Sequence, residues 1–291
     1  MRFTDPAGAH PIELAAGVPT LADYEALLGS PGFAALAGES DAFLARNRAA
    51  LADYARRWVA DPLRQWSRRW EYPYVLAALQ SSLSRVEPPT VAPRILDAGS
   101  GVTFFPFLVA ERLGASVTCC DRDGSFPETY RQLTRNGGPP VDFEIAELQS
   151  LPWADTTFEA IYCISVLEHT EHYASILEEF ERVLRPGGVV VVTFDISFDG
   201  RCEIAPDAAR EFLRTVGERF EPVDGPPHDQ LERMLAEPGH LTTAWARQRH
   251  PDSLPWRRSL KADLAQLARF RRPAAPFYLC TVWCGTFRRR R

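Results

Sequence analysis

Two carboxylates and two glycines carry the most legible chemistry in this chain. Asp97 closes a short apolar run (Ile95, Leu96), and Gly99 and Gly101 follow it within D-A-G-S-G. Asp121 closes the next apolar run, Val117 to Cys120. Glycine allows the backbone of a tight turn and lets the main chain approach a ligand closely. An acid at the end of a second strand can accept both hydroxyls of a ribose. An acid ahead of the turn meets a cation directly or through water, or else braces the turn. Together these residues suit a nucleoside that carries a cationic amino-acid tail. Glu147 follows a third run, where its side chain would accept from an adenine amino group. Phe126, Leu148 and Trp153 are the expected apolar walls for the ring.

The same residues argue against phosphate chemistry. In a G-x-G-x-x-G reading the third glycine falls on Phe104, and an aromatic there opposes close helix–strand packing. Asp97 would also set a negative charge beside a pyrophosphate. No Gly-Lys-Ser/Thr follows to make a P-loop.

These side chains need a sheet to hold them. From Arg94 the pattern alternates short apolar runs with helical ones. The expected strands are 94–97, 116–121, 141–144, 160–164 and 189–194. Phe104–Leu113 reads as a helix stopped by Gly114. Ala174–Leu184 carries an apolar stripe (Ile176, Leu177, Phe180, Val183, Leu184), ended by R-P-G-G at 185–188. Short apolar strands alternating with helices predict a parallel sheet covered on both faces, with ligands at the carboxyl ends of its strands.

Residues 1–90 read as helical. Thr20, Ser40 and Asp61-Pro62 are start signals. Trp66 and Trp70 are placed on one helical face, and Tyr72-Pro73 reads as a break. The proline-rich 87–93 is the clearest linker. Beyond Phe194, residues 207–220 read as a helix, 220–223 as a short strand and 277–287 as a strong one. Residues 225–276, rich in Pro, Arg, His and Trp, read as a cap or insertion. The expected organisation is a helical arm or lid, 1–90, and a ligand-binding domain, 91–291.

The motifs resemble those of the class I S-adenosylmethionine-dependent methyltransferases. Asp97-Ala98-Gly99-Ser100-Gly101 looks like that family's glycine motif and Asp121 like its ribose acid. Glu147-Leu148 with Leu151-Pro152-Trp153 resembles its adenine-side acid and following turn. Residues 158–169 look like its fourth strand and loop, and L-R-P-G-G at 184–188 like the turn before its fifth strand. The resemblance covers 94–194 and the last strand; 1–90 and 225–276 match no member. It implies a Rossmann-like α/β sheet, mostly parallel with the last strand antiparallel. It also implies S-adenosyl-L-methionine as cofactor, held by Asp97, Ala98, Gly99, Ser100, Gly101, Asp121, Arg122, Glu147, Leu148 and Ile164.

Methyl transfer then needs an acceptor and, for a hydroxyl, a base. His169 and His172 follow the fourth strand and Asp195 ends the fifth, so these three are the candidate catalytic residues. Cys163-Ile164-Ser165-Val166 stands where the family's nucleic-acid amino-methylating members carry a Pro-Pro-aromatic loop and its polyamine synthases an Asp. No metal site is expected. A small-molecule acceptor, natural-product or sugar-like and methylated at oxygen, is the expectation. A protein side chain as acceptor, and a non-catalytic scaffold, are the alternatives.

Bulk properties agree. The 291 residues carry a formal net charge of -5, which opposes wholesale nucleic-acid binding. No zinc-finger spacing joins the six cysteines. Neither a signal peptide nor a spanning apolar stretch is visible, so the expectation is a cytoplasmic enzyme with no membrane partner. The oligomeric state is left open. The four terminal arginines are expected to be solvated.

Overall fold

The computed structural model describes residues 1–84 (apart from 6, 7 and 10), 92–201, 204–225, 227–236, 238–256 and 277–291. Elements run in chain order as follows. A small hairpin, β1 (Arg2–Phe3) and β2 (Ile12–Glu13), precedes α1 (Leu21–Leu28), α2 (Pro31–Arg46), α3 (Ala52–Arg57) and α4 (Arg68–Leu83). Next come β3 (Arg94–Ala98), α5 (Phe105–Leu113), β4 (Ser116–Asp121), α6 (Phe126–Arg135) and β5 (Val141–Ile145). β6 (Phe158–Ile164), α7 (Tyr173–Val183), β7 (Leu184–Ser197), α8 (Pro206–Arg219) and β8 (Phe220–Pro222) follow. The chain closes with α9 (Pro227–Ala236), α10 (Thr243–Arg249) and β9 (Cys280–Arg289).

The main sheet has seven strands in the order β5-β4-β3-β6-β7-β9-β8. Neighbours from β5 to β7 are parallel, and β9 is antiparallel to both β7 and β8. This is the Rossmann-like sheet the alternation predicted. Strand alternation sorts the side chains into two cores. Ile95, Val117, Tyr162 and Val191 face α4, α5, α6 and the N-terminal helices. Leu96, Ile161, Cys163 and Val192 face α7 and α8. The strand order reverses between β3 and β6, so a crevice opens outside their carboxyl ends.

The helical N-terminal region departs from its sequence reading in four places. Ser40 caps nothing: it lies buried inside α2, whose N-cap is Ser30, with the Phe33 amide donating to Ser30 Oγ at 3.1 Å. Asp61-Pro62 starts only one turn of 3-10 helix, Pro62–Arg64. Trp66 precedes α4, so it shares no helical face with Trp70, although both are buried. Tyr72-Pro73 does not break the run; Pro73 sits inside α4. An interior proline removes one helical hydrogen bond, and α4 offsets that loss by burying every residue from Trp70 to Leu79. Tyr72 stacks on Phe105 at 4.3 Å, which makes it a packing residue between α4 and α5.

Of the expected cap, 257–276 lies outside the described residues. Its described part supplies α9 and α10; Leu231 and Met234 join the core beneath α8, and Thr243 hydrogen-bonds the start of β9. The terminal arginines are not simply solvated. Arg288 donates to the Gly187 carbonyl at 2.7 Å, Arg289 to Leu184, and Arg290 to the last carbonyls of α8. No helix among the described residues is long and apolar enough to cross a membrane.

Candidate functional site

The turn after β3 is a fixed object. The Gly99 and Ser100 amides donate to the Cys120 carbonyl at 2.9 and 3.0 Å, which ties the turn to the end of β4. Gly99 and Gly101 have φ of +78° and +53°. Space forbids a side chain as firmly as conformation does. A Cβ on Gly99 would lie 2.6 Å from a Val166 methyl, and one on Gly101 would lie 3.0 Å from the Tyr54 hydroxyl. Tyr130, from α6, donates to the Gly101 carbonyl at 2.9 Å and steadies the far side.

Asp121 is held by the same turn. Its Oδ2 accepts from the Gly101 amide and its Oδ1 from the Asp123 amide, both at 3.1 Å. A carboxylate has about four acceptor positions, so two remain at the mouth of the crevice for a pair of hydroxyls. Asp123 is consumed locally. The Ser125 hydroxyl (2.6 Å) and amide (2.9 Å) bond its Oδ1, and these bonds, aided by Arg57 at 3.4 Å, hold its carboxyl below the usual range.

Asp97 points inward under the turn and is 5% exposed. Burial pushes its pKa up to about 8, against the opposing pull of Tyr162 and Cys119. A buried acid of this kind, with tyrosine and thiol neighbours, fits an approaching ammonium well, because the cation would repay the lost hydration of the charge. The residues of the crevice thus suit both ends of a nucleoside with an amino-acid tail.

The expected adenine side is a loop, 146–153, braced from α7. Arg182 donates to the carbonyls of Leu151 (2.9 Å) and Trp153 (2.7 Å), while Glu179 accepts from the Leu151 amide at 2.7 Å. Arg182 and Glu179 were missed in the sequence; their i,i+3 spacing on the polar face of α7 is the only signal they give. Glu147 is exposed, Leu148 is buried, and Trp153 packs edge-on to Phe158. Phe126 is engaged elsewhere, against Tyr54 and Phe143 in the opposite core. Arg122 is exposed, and Ile164 is half-buried at the end of β6.

On the acceptor side the three expected catalytic residues separate. His169 and His172 lie exposed on the loop after β6. The His169 amide closes a 3-10 turn onto the Val166 carbonyl, and the His172 carbonyl accepts from the Ser175 hydroxyl as α7 begins. Asp195 is half-buried and alternates with Thr193 on the face of β7 that looks toward α4.

Beside Asp195 lies a buried polar cluster that sequence reading did not find. Glu71, wholly buried in α4, accepts from Arg68 Nη1 (2.5 Å), from the Ser165 hydroxyl (2.7 Å) and from the Thr193 hydroxyl. Arg68 also donates to Ser165 Oγ at 2.5 Å. Burial works against the Arg68 charge, but Glu71, Tyr72 and Asp195 around it more than restore it. Ser165 has φ +48°, a conformation that costs a non-glycine residue about 1–3 kcal/mol and is found where surrounding contacts over-determine it. The only hint in sequence is one acid inside W-E-Y-P-Y-V, three residues after an arginine.

The sheet order, the glycine turn pinned to the second strand and the strand-end acid together define a class I methyltransferase domain. Residues 96–192 match the family model described as "Methyltransferase domain", and the sheet has the class I methyltransferase fold. Methyltransferase GfsG of Streptomyces halstedii is 30% identical over 125 residues, covering 42% of this chain and 45% of that protein. A ubiquinone biosynthesis O-methyltransferase of Rhizobium etli is 27% identical over 185 residues, covering 62% of this chain and 73% of that one. The chain spans less than half the length of the first curated relatives it matches. Among solved structures, geranyl diphosphate methyltransferase with S-adenosylmethionine aligns at a TM-score of 0.46 and 14% identity, over 94% of this chain and 98% of that one. The [4+2]-cyclase SpnF aligns at 0.49 and 17%, over 80% and 85%.

Proposed function

We propose that this protein transfers a methyl group from S-adenosyl-L-methionine to a small-molecule acceptor, with oxygen as the favoured atom. The observation that carries the reading is Asp121. It is oriented by the Gly101 and Asp123 amides and keeps acceptor capacity at the crevice mouth. In this reading Asp121 takes the ribose diol, Asp97 faces the ammonium, and Glu147 with Leu148 borders the adenine. Gly99, Ser100 and Gly101, with Ala98 and Ile164 beneath, form the surface under the methionine end, and Arg122 lies at the rim.

When bound, the cofactor supplies an electrophilic methyl group on a good leaving group. The protein's task is then chiefly alignment, which can be worth about 7–11 kcal/mol. Residues 1–90 act as an arm that walls the acceptor side, with 91–291 as the cofactor-binding part. Asp195 is the favoured base, because it is half-buried and lies beside the Arg68 charge. Such a base contributes about 10²–10⁴-fold. His169 and His172, on the exposed loop, are the weaker candidates.

Calorimetry with S-adenosylmethionine and its demethylated product tests the cofactor half. A cell extract incubated with protein and radiolabelled cofactor tests the acceptor half. Label in small molecules supports the reading; label confined to protein bands replaces it with side-chain methylation; absence of binding and label replaces it with a scaffold.

A further inference from the structure

The N-terminal helices touch each of three loops at the carboxyl end of the sheet. The Tyr54 hydroxyl sits over Gly101, after β3. Arg57 donates to the Ser125 hydroxyl at 2.6 Å and pairs with Asp123, after β4. Arg68 and Glu71 engage Ser165, after β6. The third contact differs in kind because it is buried and charged. An ionised carboxylate is an expensive choice for the core face of a helix unless all its partners are in place. Here they are, and two of the three partners come from far along the chain: Ser165, just after β6, and Thr193, within β7.

Ser165 stands in a left-handed conformation, and three bonds hold it there, one of them from Arg68 to its hydroxyl. Its amide donates to the Thr193 carbonyl at 3.0 Å, and its hydroxyl donates to Glu71. The next residue, Val166, presses on Gly99 so closely that no Cβ would fit. A chain of contacts therefore runs from Glu71 to Ser165, to Val166 and to the glycine turn.

We propose that Glu71 is a positioning residue: through Ser165 it sets the Val166–Gly99 contact that forms the floor of the cofactor crevice. Seating of the arm and binding of the cofactor then share one equilibrium, and each must strengthen the other by the same factor. The inference rests on the crevice being a cofactor site, and it names a regulation of that site by a segment distant in sequence.

The test uses the full chain with Glu71→Gln, Ser165→Ala and Ser165→Gly. Hydrogen–deuterium exchange is read first, without ligand. In Glu71→Gln and Ser165→Ala, exchange rises at 99–101 and 165–167 and is unchanged in β4 and α7. S-adenosylhomocysteine is then titrated by calorimetry. Its affinity falls at least tenfold in Glu71→Gln and Ser165→Ala, but less than threefold in Ser165→Gly, because glycine holds the left-handed turn without the hydroxyl. With wild type, the same ligand slows exchange at 68–72. The proposal is overturned if folded Glu71→Gln and Ser165→Ala bind within twofold of wild type, or if the exchange change stays within α4. If wild type binds no S-adenosylhomocysteine, the cofactor reading falls, while the ligand-free exchange pattern still decides the link from Glu71 to the turn.

Discussion

The two sides of the crevice are built in opposite ways. On the cofactor side, backbone amides do most of the holding: Gly99, Ser100, Gly101 and Asp123 bond to the end of β4 and to its acid. On the side expected to take the acceptor, side chains do it: Arg68 and Glu71 from α4 meet Ser165, just after β6, and Thr193, within β7. A backbone-built site needs particular glycines and a particular spacing, so it tolerates little change. A side-chain-built site can alter its charge and shape without disturbing the sheet.

The sharpest way to break the comparison is Gly99→Ala. The added methyl meets Val166 at 2.6 Å on a backbone of φ +78°, so both space and conformation oppose it. S-adenosylhomocysteine binding should fall at least about 30-fold, from two penalties of about 1–3 kcal/mol each. Calorimetry checks this, and undiminished affinity would mean that the turn does not shape the pocket. Asp121→Ala comes next. Hydrogen bonds to a charged group are worth about 1.5–3 kcal/mol, and each 1.4 kcal/mol is tenfold, so a loss of about 10–100-fold is expected. Both adenosine and S-adenosylhomocysteine should show it, because both carry the diol.

Asp97 sharpens the comparison through pH. Its folded pKa is raised from 3.8 to about 8. Its contribution to stability is therefore fully present below 3.8 and is lost as pH rises through about 8. If it faces the cofactor ammonium, the free protein must release that proton on binding near pH 7. Titrations of S-adenosylhomocysteine in buffers of different ionisation enthalpy should report close to one proton released. Affinity should weaken as pH falls from 8, by up to about tenfold per unit. Asp97→Asn should abolish both effects. A wild-type affinity flat from pH 6 to 8 would make Asp97 a brace for the turn alone.

The legibility of the two sides follows from their construction. Asp97, Gly99, Gly101 and Asp121 could be read because a turn between adjacent strands writes its requirements locally. The parallel strands could be read because burial on both faces leaves unbroken apolar runs such as V-V-V-V at 189–192. Glu71 could not be read, because its partners Ser165 and Thr193 lie 94 and 122 residues away. Tyr54 and Trp58 are alike in sequence, two aromatics four residues apart. Only the fold shows that Tyr54 reaches the glycine turn while Trp58 stays 54% exposed. Pro73 was misread for the same reason, since the burial that sustains α4 around it comes from α5 and the sheet.

Arg182→Ala should have the smallest effect and the most specific one. Arg182 bonds the carbonyls of Leu151 and Trp153 and pairs with Glu179, which in turn holds the Leu151 amide. Its removal loosens the loop beside Glu147 and Leu148 without touching the glycine turn. Three-tenths of its side chain is exposed, so water replaces part of what is lost, and a fall of about threefold to tenfold is expected from one or two net hydrogen bonds. Adenosine lacks the amino-acid tail and reports only the ribose and adenine end. Its affinity should drop by the same factor as that of S-adenosylhomocysteine. If only S-adenosylhomocysteine weakens, the loop acts on the tail end instead, and the assignment of 146–153 to the adenine is wrong.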